Sequence, residues 1–394
     1  MLYILAHYRH LFGPLRLFEY VTFRSGCAML TAMFLVILLG PRTIRALKKF
    51  CVPKSARLEG LVDEKFVDHS KDKTPTMGGL LIVVAIVVST VFWGDLSNRM
   101  VVVFLVTLLP LTALGFYDDY IKVKYERRVR DGISGKMKML VQGIVSFIAI
   151  YIIYKMPDTM TTKFLIPFFK DPICLKPAGE MIDFCLPTQL MAHPLFSFAA
   201  KWAPVAVGLI FLVNIVLLMF FSNAVNLTDG KDGLAAGCTL FCVLSFAAVA
   251  YVHGHVVFAK YLSIPYIPEL GEISVFCSAM AGACIGFLWY NCKPASVFMG
   301  DTGSLPLGGS VGMIAVLTAQ QFLLFVIGFV FVMEGLSVML QVASFKLTGK
   351  RIFLCAPIHH HFEQKGWTET QIVTRFWIIA GICALLGLAS LKLR

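Results

Sequence analysis

The chain has 394 residues, of which 58% are hydrophobic and only 15% charged, with a formal net charge of +12. So small a charged fraction excludes a water-soluble globular protein of this length, whose surface needs far more ionic side chains. The positive balance is joined by no nucleic-acid-binding motif, so it reads as an orientation signal and an anion-attracting face.

Taken in chain order, long uncharged runs predict an all-α integral membrane protein with about ten transmembrane helices in one polytopic domain, 1–394. The expected spans are 22–41, 77–94, 99–117, 137–155, 203–222, 234–252, 273–290, 305–319, 321–343 and 373–391. Each approaches the ~20 residues that cross about 30 Å of hydrocarbon as helix, and none shows the alternation of barrel strands. The apolar run 302–333 is too long for one helix, so a turn is expected near Gln320–Gln321. The piece before the first span is short and amphipathic and does not read as a signal peptide. Loops 42–76, 118–138, 223–233, 291–304 and 344–372 hold the majority of the 35 Lys and Arg. The positive-inside tendency therefore places them in the cytoplasm and both termini in the periplasm. Eleven cysteines show no metal-finger spacing and read mostly as small buried hydrophobes. In the external segment 156–202 a disulfide between Cys174 and Cys185 is chemically allowed.

The five cytoplasmic loops carry the unusual residues. "KDKTPTMGG" (71–79) offers Lys71, Lys73 and Thr76 beside paired glycines; it suits a solvated basic loop or a phosphate contact. In "GFYDDY" (115–120), Asp118 and Asp119 repel unless a cation or basic group compensates. In "NAVNLTDGKDGLA" (223–235), Asp229 and Asp232 share a face if the chain is helical there, as do Asn223 and Asn226. In "NCKPASVFMGDTGS" (291–304), Asp301 stands beside Gly300 at a helix entrance, as a cap or as a ligand, with Phe298 as an anchor or stacking surface. In "APIHHHFEQKGW" (356–367), His359, His360 and His361 lack a zinc-site pattern and suit hydrogen bonds to phosphate oxygens better. Glu334 falls inside a span, where a carboxylate is costly and normally paired or functional. That parity puts all five clusters on one membrane face is the decisive point. Acids with Lys and His nearby suit a Mg²⁺-dependent reaction between a phosphorylated soluble substrate and a lipid.

Together, "TPTMGG", "FYDDY", "SNAVNLTDGKDG", "NCKPASVFMGDTGS" and "APIHHHFEQKGW" resemble the phospho-N-acetylmuramoyl-pentapeptide transferase branch of the polyprenyl-phosphate N-acetylhexosamine-1-phosphate transferases. The likeness runs from "YVTFRSG" (20–26) to "LASLKLR" (388–394). It implies transfer of phospho-N-acetylmuramoyl-pentapeptide from its UDP conjugate to undecaprenyl phosphate, giving lipid I and UMP, in peptidoglycan synthesis at the bacterial inner membrane. It further implies Mg²⁺ as cofactor, a homodimer, and no nucleic-acid partner. On this resemblance Asp301 is a magnesium ligand, and Asp118, Asp119, His360 and His361 act in catalysis. Lys71, Lys73, Thr76, Asn226, Asp229, Asp232, Phe298 and His359 bind substrate. Direct attack by the lipid phosphate is favoured over an aspartyl intermediate, because a phosphate monoester is already a competent nucleophile near neutral pH.

Three features depart from the family pattern. Lys231 stands where Leu is usual, and can pair with Asp229 or Asp232 or extend away. Residues 52–70 lack the usual lead-in to the TPTMGG turn, and 156–202 is longer than usual.

Overall fold

The computed structural model describes residues 1–49, 74–124, 132–156, 163–164, 173–177, 182–185 and 203–392. The main helices are α1 (Val21–Lys48), α2 (Gly79–Trp93), α3 (Arg99–Lys124), α4 (Gly135–Tyr154), α5 (Ala203–Thr228) and α6 (Leu234–His253). They continue as α7 (Val256–Leu262), α8 (Gly271–Asn291), α9 (Asp301–Leu317), α10 (Gln321–Ile327), α11 (Phe329–Thr348), α12 (Ile358–Gln364) and α13 (Glu369–Ser390). Among the described residues, eight helices are long and apolar enough to cross a membrane. Two of the expected spans are shorter helices, α2 with 15 residues and α9 with 17.

Small residues decide the packing. In α8, a Cβ added at Gly282 would strike the Met29 carbonyl of α1, so the two backbones meet there without side chains between them. Helices α2 and α9 likewise cross where Gly79 faces Gly303, again leaving no room for a Cβ. The central pair is α8, lying against α1 and α6, and α9, lying against α3 and α5. Their buried apolar residues belong to one continuous core that includes Phe104, Phe221, Phe246, Phe276 and Phe287. Away from the acidic loops, the buried Arg24 of α1 grips both carboxylate oxygens of Glu272 at the start of α8. Such a bidentate pair fixes the register of two helices as well as their contact.

The span expected at 321–343 is two helices broken at Gly328. A Cβ there would sit 2.8 Å from the Leu324 carbonyl and 2.9 Å from the Phe221 ring, so α5 presses into the break. The turn expected near Gln320–Gln321 is present, with Ala319 in the left-handed region at φ 54°. One element was not anticipated: a small antiparallel sheet of β1 (Lys163–Phe164), β2 (Ile173–Pro177) and β3 (Ile182–Cys185) between α4 and α5. Strands of two to five residues are too short to show an alternation in sequence. Their register sets Cys174 opposite Cys185.

Candidate active site

Three of the loops singled out in the sequence interlock at one end of the bundle. The turn before α2 pairs with the loop before α9: Gly78 and Gly79 N–H donate to the Phe298 and Met299 carbonyls at 2.9 Å, and Phe298 N–H donates to Pro75 at 2.8 Å. The 229–233 turn between α5 and α6 is tied to the same loop. Asn291 accepts from Gly233 N–H at 2.9 Å and donates to the Val297 carbonyl at 2.8 Å. Asp229 accepts from Gly300 N–H at 3.1 Å, and Asp232 from Ala295 N–H at 3.3 Å. Glu369, in the first turn of α13, accepts from Asp232 N–H and pairs with Lys293 at 2.8 Å. The backbone groups of three irregular segments thus find partners in one another, which lets them lie against the core without loss.

Onto this platform α3 and α9 bring three carboxylates. Asp118, Asp119 and Asp301 each offer an oxygen, all within 4.8 Å of one another. Each is held differently. Asp119 accepts from Thr302 twice, through N–H at 3.0 Å and Oγ1 at 2.7 Å. Asp301 accepts from Asn226 at 2.7 Å, and Asp118 from Ile133 N–H at 2.7 Å. Two ammonium groups face the triad. Lys122 Nζ lies 2.6 Å from Asp118 and 3.2 Å from Asp301, and Lys138 Nζ lies 2.8 Å and 2.7 Å from the same two. Gly300 has φ +71°, and a Cβ there would come 2.6 Å from Asp119 Oδ2, so glycine is required twice over.

A cavity of about 280 Å³ opens beside the triad. Of the residues expected to form the site, Thr76, Asp119, Asn226, Asp229, Asp232, Phe298 and Asp301 line it. Lys231 does too. Asp118 stands behind this wall, fully buried. Lys71 and Lys73 lie outside the described residues.

The comparisons with known proteins agree on what this arrangement belongs to. The pattern of the Glycosyl transferase family 4 matches residues 101–319, more than half of the chain. Phospho-N-acetylmuramoyl-pentapeptide-transferase signature 1 matches residues 71–83. The chain is 43% identical over 396 residues to the phospho-N-acetylmuramoyl-pentapeptide-transferase of Koribacter versatilis, covering 100% of this chain and 99% of that one. Like-named proteins of Methylacidiphilum infernorum, at 43% with both chains covered in full, and Neisseria gonorrhoeae, at 42% with 99% of each covered, match as well. The chain belongs to the phospho-N-acetylmuramoyl-pentapeptide transferase family. It is a phosphoglycosyl transferase, and its apolar helices mark it as a multi-pass membrane protein.

The histidines of this transferase do not stand together on the cavity wall. His359 is 1% exposed and lies behind Gly230. Its Nδ1 is 3.1 Å from Glu334, the carboxylate inside a span whose partner the sequence left unnamed. His360 Nδ1 meets Glu363 at 3.0 Å, and the other oxygen of Glu363 meets Lys231 at 2.5 Å. His361 Nδ1 accepts from Leu354 N–H at 3.2 Å and its ring sits edge-on to Phe353. Lys231 therefore extends to the histidine helix. The hydrogen bond from His360, followed by the Lys231 charge, lowers the Glu363 carboxyl to about 2. Burial holds His359 below the ordinary histidine value against the pull of Glu334.

Several residues of the site were not foreseen: Lys122, Lys138, Thr302, Asn291 and Thr74. Lys122 had a signal, since it follows Asp118 by four residues on one helix and so shares its face. The others are brought in by tertiary packing.

Proposed function

We propose that this transferase moves phospho-N-acetylmuramoyl-pentapeptide from its UDP conjugate to undecaprenyl phosphate, giving lipid I and UMP, as a Mg²⁺-dependent step of peptidoglycan synthesis. The reaction takes place at the cytoplasmic face of the bacterial inner membrane, with both chain termini on the periplasmic side. The observation that carries this reading is the meeting of Asp118, Asp119 and Asp301 beside a cavity lined by Asn226, Asp229, Asp232 and Phe298.

The donor set fits magnesium: three hard carboxylate oxygens close enough to share one ion, at a place where substrate phosphates can complete the coordination. Asp301, with Asp118 and Asp119 beside it, would hold the ion, which when bound supplies charge neutralisation for the diphosphate. The remaining work falls to the chain's own groups. The 229–232 turn, Asn226 and Phe298 hold the nucleotide in the 280 Å³ cavity, with the Phe298 ring for the uracil. A carboxylate of the Asp118–Asp119 pair takes the proton of the lipid phosphate. The freed oxygen attacks the β-phosphorus, a new P–O bond forms, and the bond to the bridging oxygen breaks as UMP leaves. Lys122 and Lys138 stand where charge accumulates on the transferring phosphoryl group and counter it. On the family resemblance His360 and His361 assist at the phosphate oxygens, reaching them from outside the cavity lining, and Lys71 and Lys73 complete the nucleotide contacts. The family resemblance further supports a homodimer.

Membranes of a host expressing this chain, supplied with undecaprenyl phosphate, are expected to turn over UDP-N-acetylmuramoyl-pentapeptide and not UDP-N-acetylglucosamine. Turnover of only the latter would falsify the substrate assignment.

A further inference from the structure

The turn that carries Asp229 and Asp232 belongs to no regular element, because α5 ends at Thr228 and α6 begins at Leu234. Its two central residues are met from α12 and its partners: Gly230 by His359, which is paired with Glu334, and Lys231 by Glu363, which is paired with His360.

Beneath the turn, Gly230 rests on the His359 imidazole. A Cβ at position 230 would collide with Nε2 and come 2.8 Å from Cε1. His359, 1% exposed, has no room to withdraw. Its Nδ1 lies 3.1 Å from Oε2 of Glu334, which α11 carries fully buried. A carboxylate opposite Nδ1 requires the proton on that nitrogen, so Nε2 presents its lone pair towards the turn. Neither that Nε2 nor Glu334 Oε1 has a hydrogen-bond partner among the described residues. A buried carboxylate kept at such a cost contributes orientation more than stability.

Above the turn, Lys231 Nζ reaches Glu363 Oε1 at 2.5 Å, and Oε2 of the same carboxylate receives His360 Nδ1–H at 3.0 Å. The two imidazole rings are 4.2 Å apart and tilted by 49°, so the lower and upper contacts adjoin one another.

We propose that Glu334 and Glu363 are positioning residues: Glu334 acts through His359 on Gly230; Glu363, itself braced by His360, holds Lys231 directly; and together they keep Asp229 and Asp232 in place for the nucleotide. The proposal rests on the reading of this turn as the nucleotide end of the site. A leucine at 231 would have no charge to give Glu363, so the ionic half of the clamp depends on Lys231.

Two measurements on the detergent-solubilised full chain test it: amide hydrogen exchange of peptides covering 226–234, and steady-state kinetics titrating each substrate separately. The variants are Glu363→Gln, Lys231→Leu, the two combined, and Glu334→Gln. Each rim substitution is expected to speed exchange across 229–233 by about threefold or more, the size of a part-exposed ion pair. The KM for the UDP substrate should rise in step, with kcat and the lipid KM within about twofold of wild type. The double variant should be no worse than the worse single one, because both remove the same link. Glu334→Gln should act in the same direction and more strongly. Unchanged exchange in both rim variants overturns the clamp, as does additivity in the double variant. A parallel loss in kcat, both KM values and melting temperature would assign these glutamates a general structural role instead. If the wild-type chain does not turn over the muramoyl substrate, the functional reading falls, and the exchange data still decide the clamp.

Discussion

Asp229 accepts a hydrogen bond from the backbone N–H of Gly300 at 3.1 Å, and Gly300 is the residue before Asp301. The aspartate read as the nucleotide end of the site therefore fixes the backbone next to the aspartate read as its metal end. Removing it should be felt at both ends. Asp229→Ala is expected to raise the KM for the UDP substrate and, with it, the Mg²⁺ concentration giving half-maximal rate, each by about tenfold. Parallel titrations check this, and a change in only one of the two would show that the link carries no coupling.

Asp301→Asn should nearly abolish turnover, by about a thousandfold or more, and flatten what remains of the Mg²⁺ dependence. Asparagine keeps the shape and can still accept from Asn226, so the loss isolates the charge. Full activity with an unchanged Mg²⁺ titration would remove Asp301 from the site.

Thr302 holds Asp119 with both its N–H and its hydroxyl. Thr302→Val deletes the hydroxyl bond alone, which leaves a buried carboxylate short of one donor at a cost of about 1–3 kcal/mol. The corresponding fall in kcat/KM is about ten- to a hundredfold, whereas Thr302→Ser should stay close to wild type. Equal behaviour of Val and Ser at this position would mean that the N–H suffices.

How much of this could be read beforehand depends on the range of the interaction. Asp118, Asp119, Asp229, Asp232 and Asp301 stood out because polar residues interrupt otherwise apolar sequence, and loop parity gathers them without any knowledge of contacts. The spans themselves announce their length and hydropathy. Lys138 did not stand out, because its partners lie 20 and 163 residues away. Glu334 was visible as an anomaly, but its partner belongs to another helix, and only packing selects His359 from three neighbouring histidines. The break at Gly328 was hidden for a similar reason: the Phe221 ring that fills it comes from α5. Periodicity reports the face a helix buries and says nothing of what it is buried against.

Acid should loosen the rim formed by Lys231, Glu363 and His360. Glu363 has a folded-state pKa of about 2, below its ordinary value of 4.5. A depressed carboxyl stabilises the fold above the unfolded-state pKa, and that contribution is lost as pH falls towards the folded-state value. The melting-temperature difference between wild type and Glu363→Gln in detergent should thus be constant from about pH 8 to pH 5 and shrink below about pH 4.5. The side chain is 42% exposed, so the difference is expected to be small at every pH and to shrink further in high salt. A difference that instead grew on acidification would mean that the carboxylate does not sustain the link.

Lys122 and Lys138 give the triad two positive charges of the chain's own against three negative ones. The ends of α3, α4 and α9 that carry the triad and its lysines are tied to one another by these ion pairs, unlike small metal-dependent domains in which binding and folding are one event. Stripping divalent cations with a chelator during extraction should leave an intact, soluble preparation with an unaltered melting temperature, silent in turnover and restored by adding magnesium back. The inactive state would be a storable one.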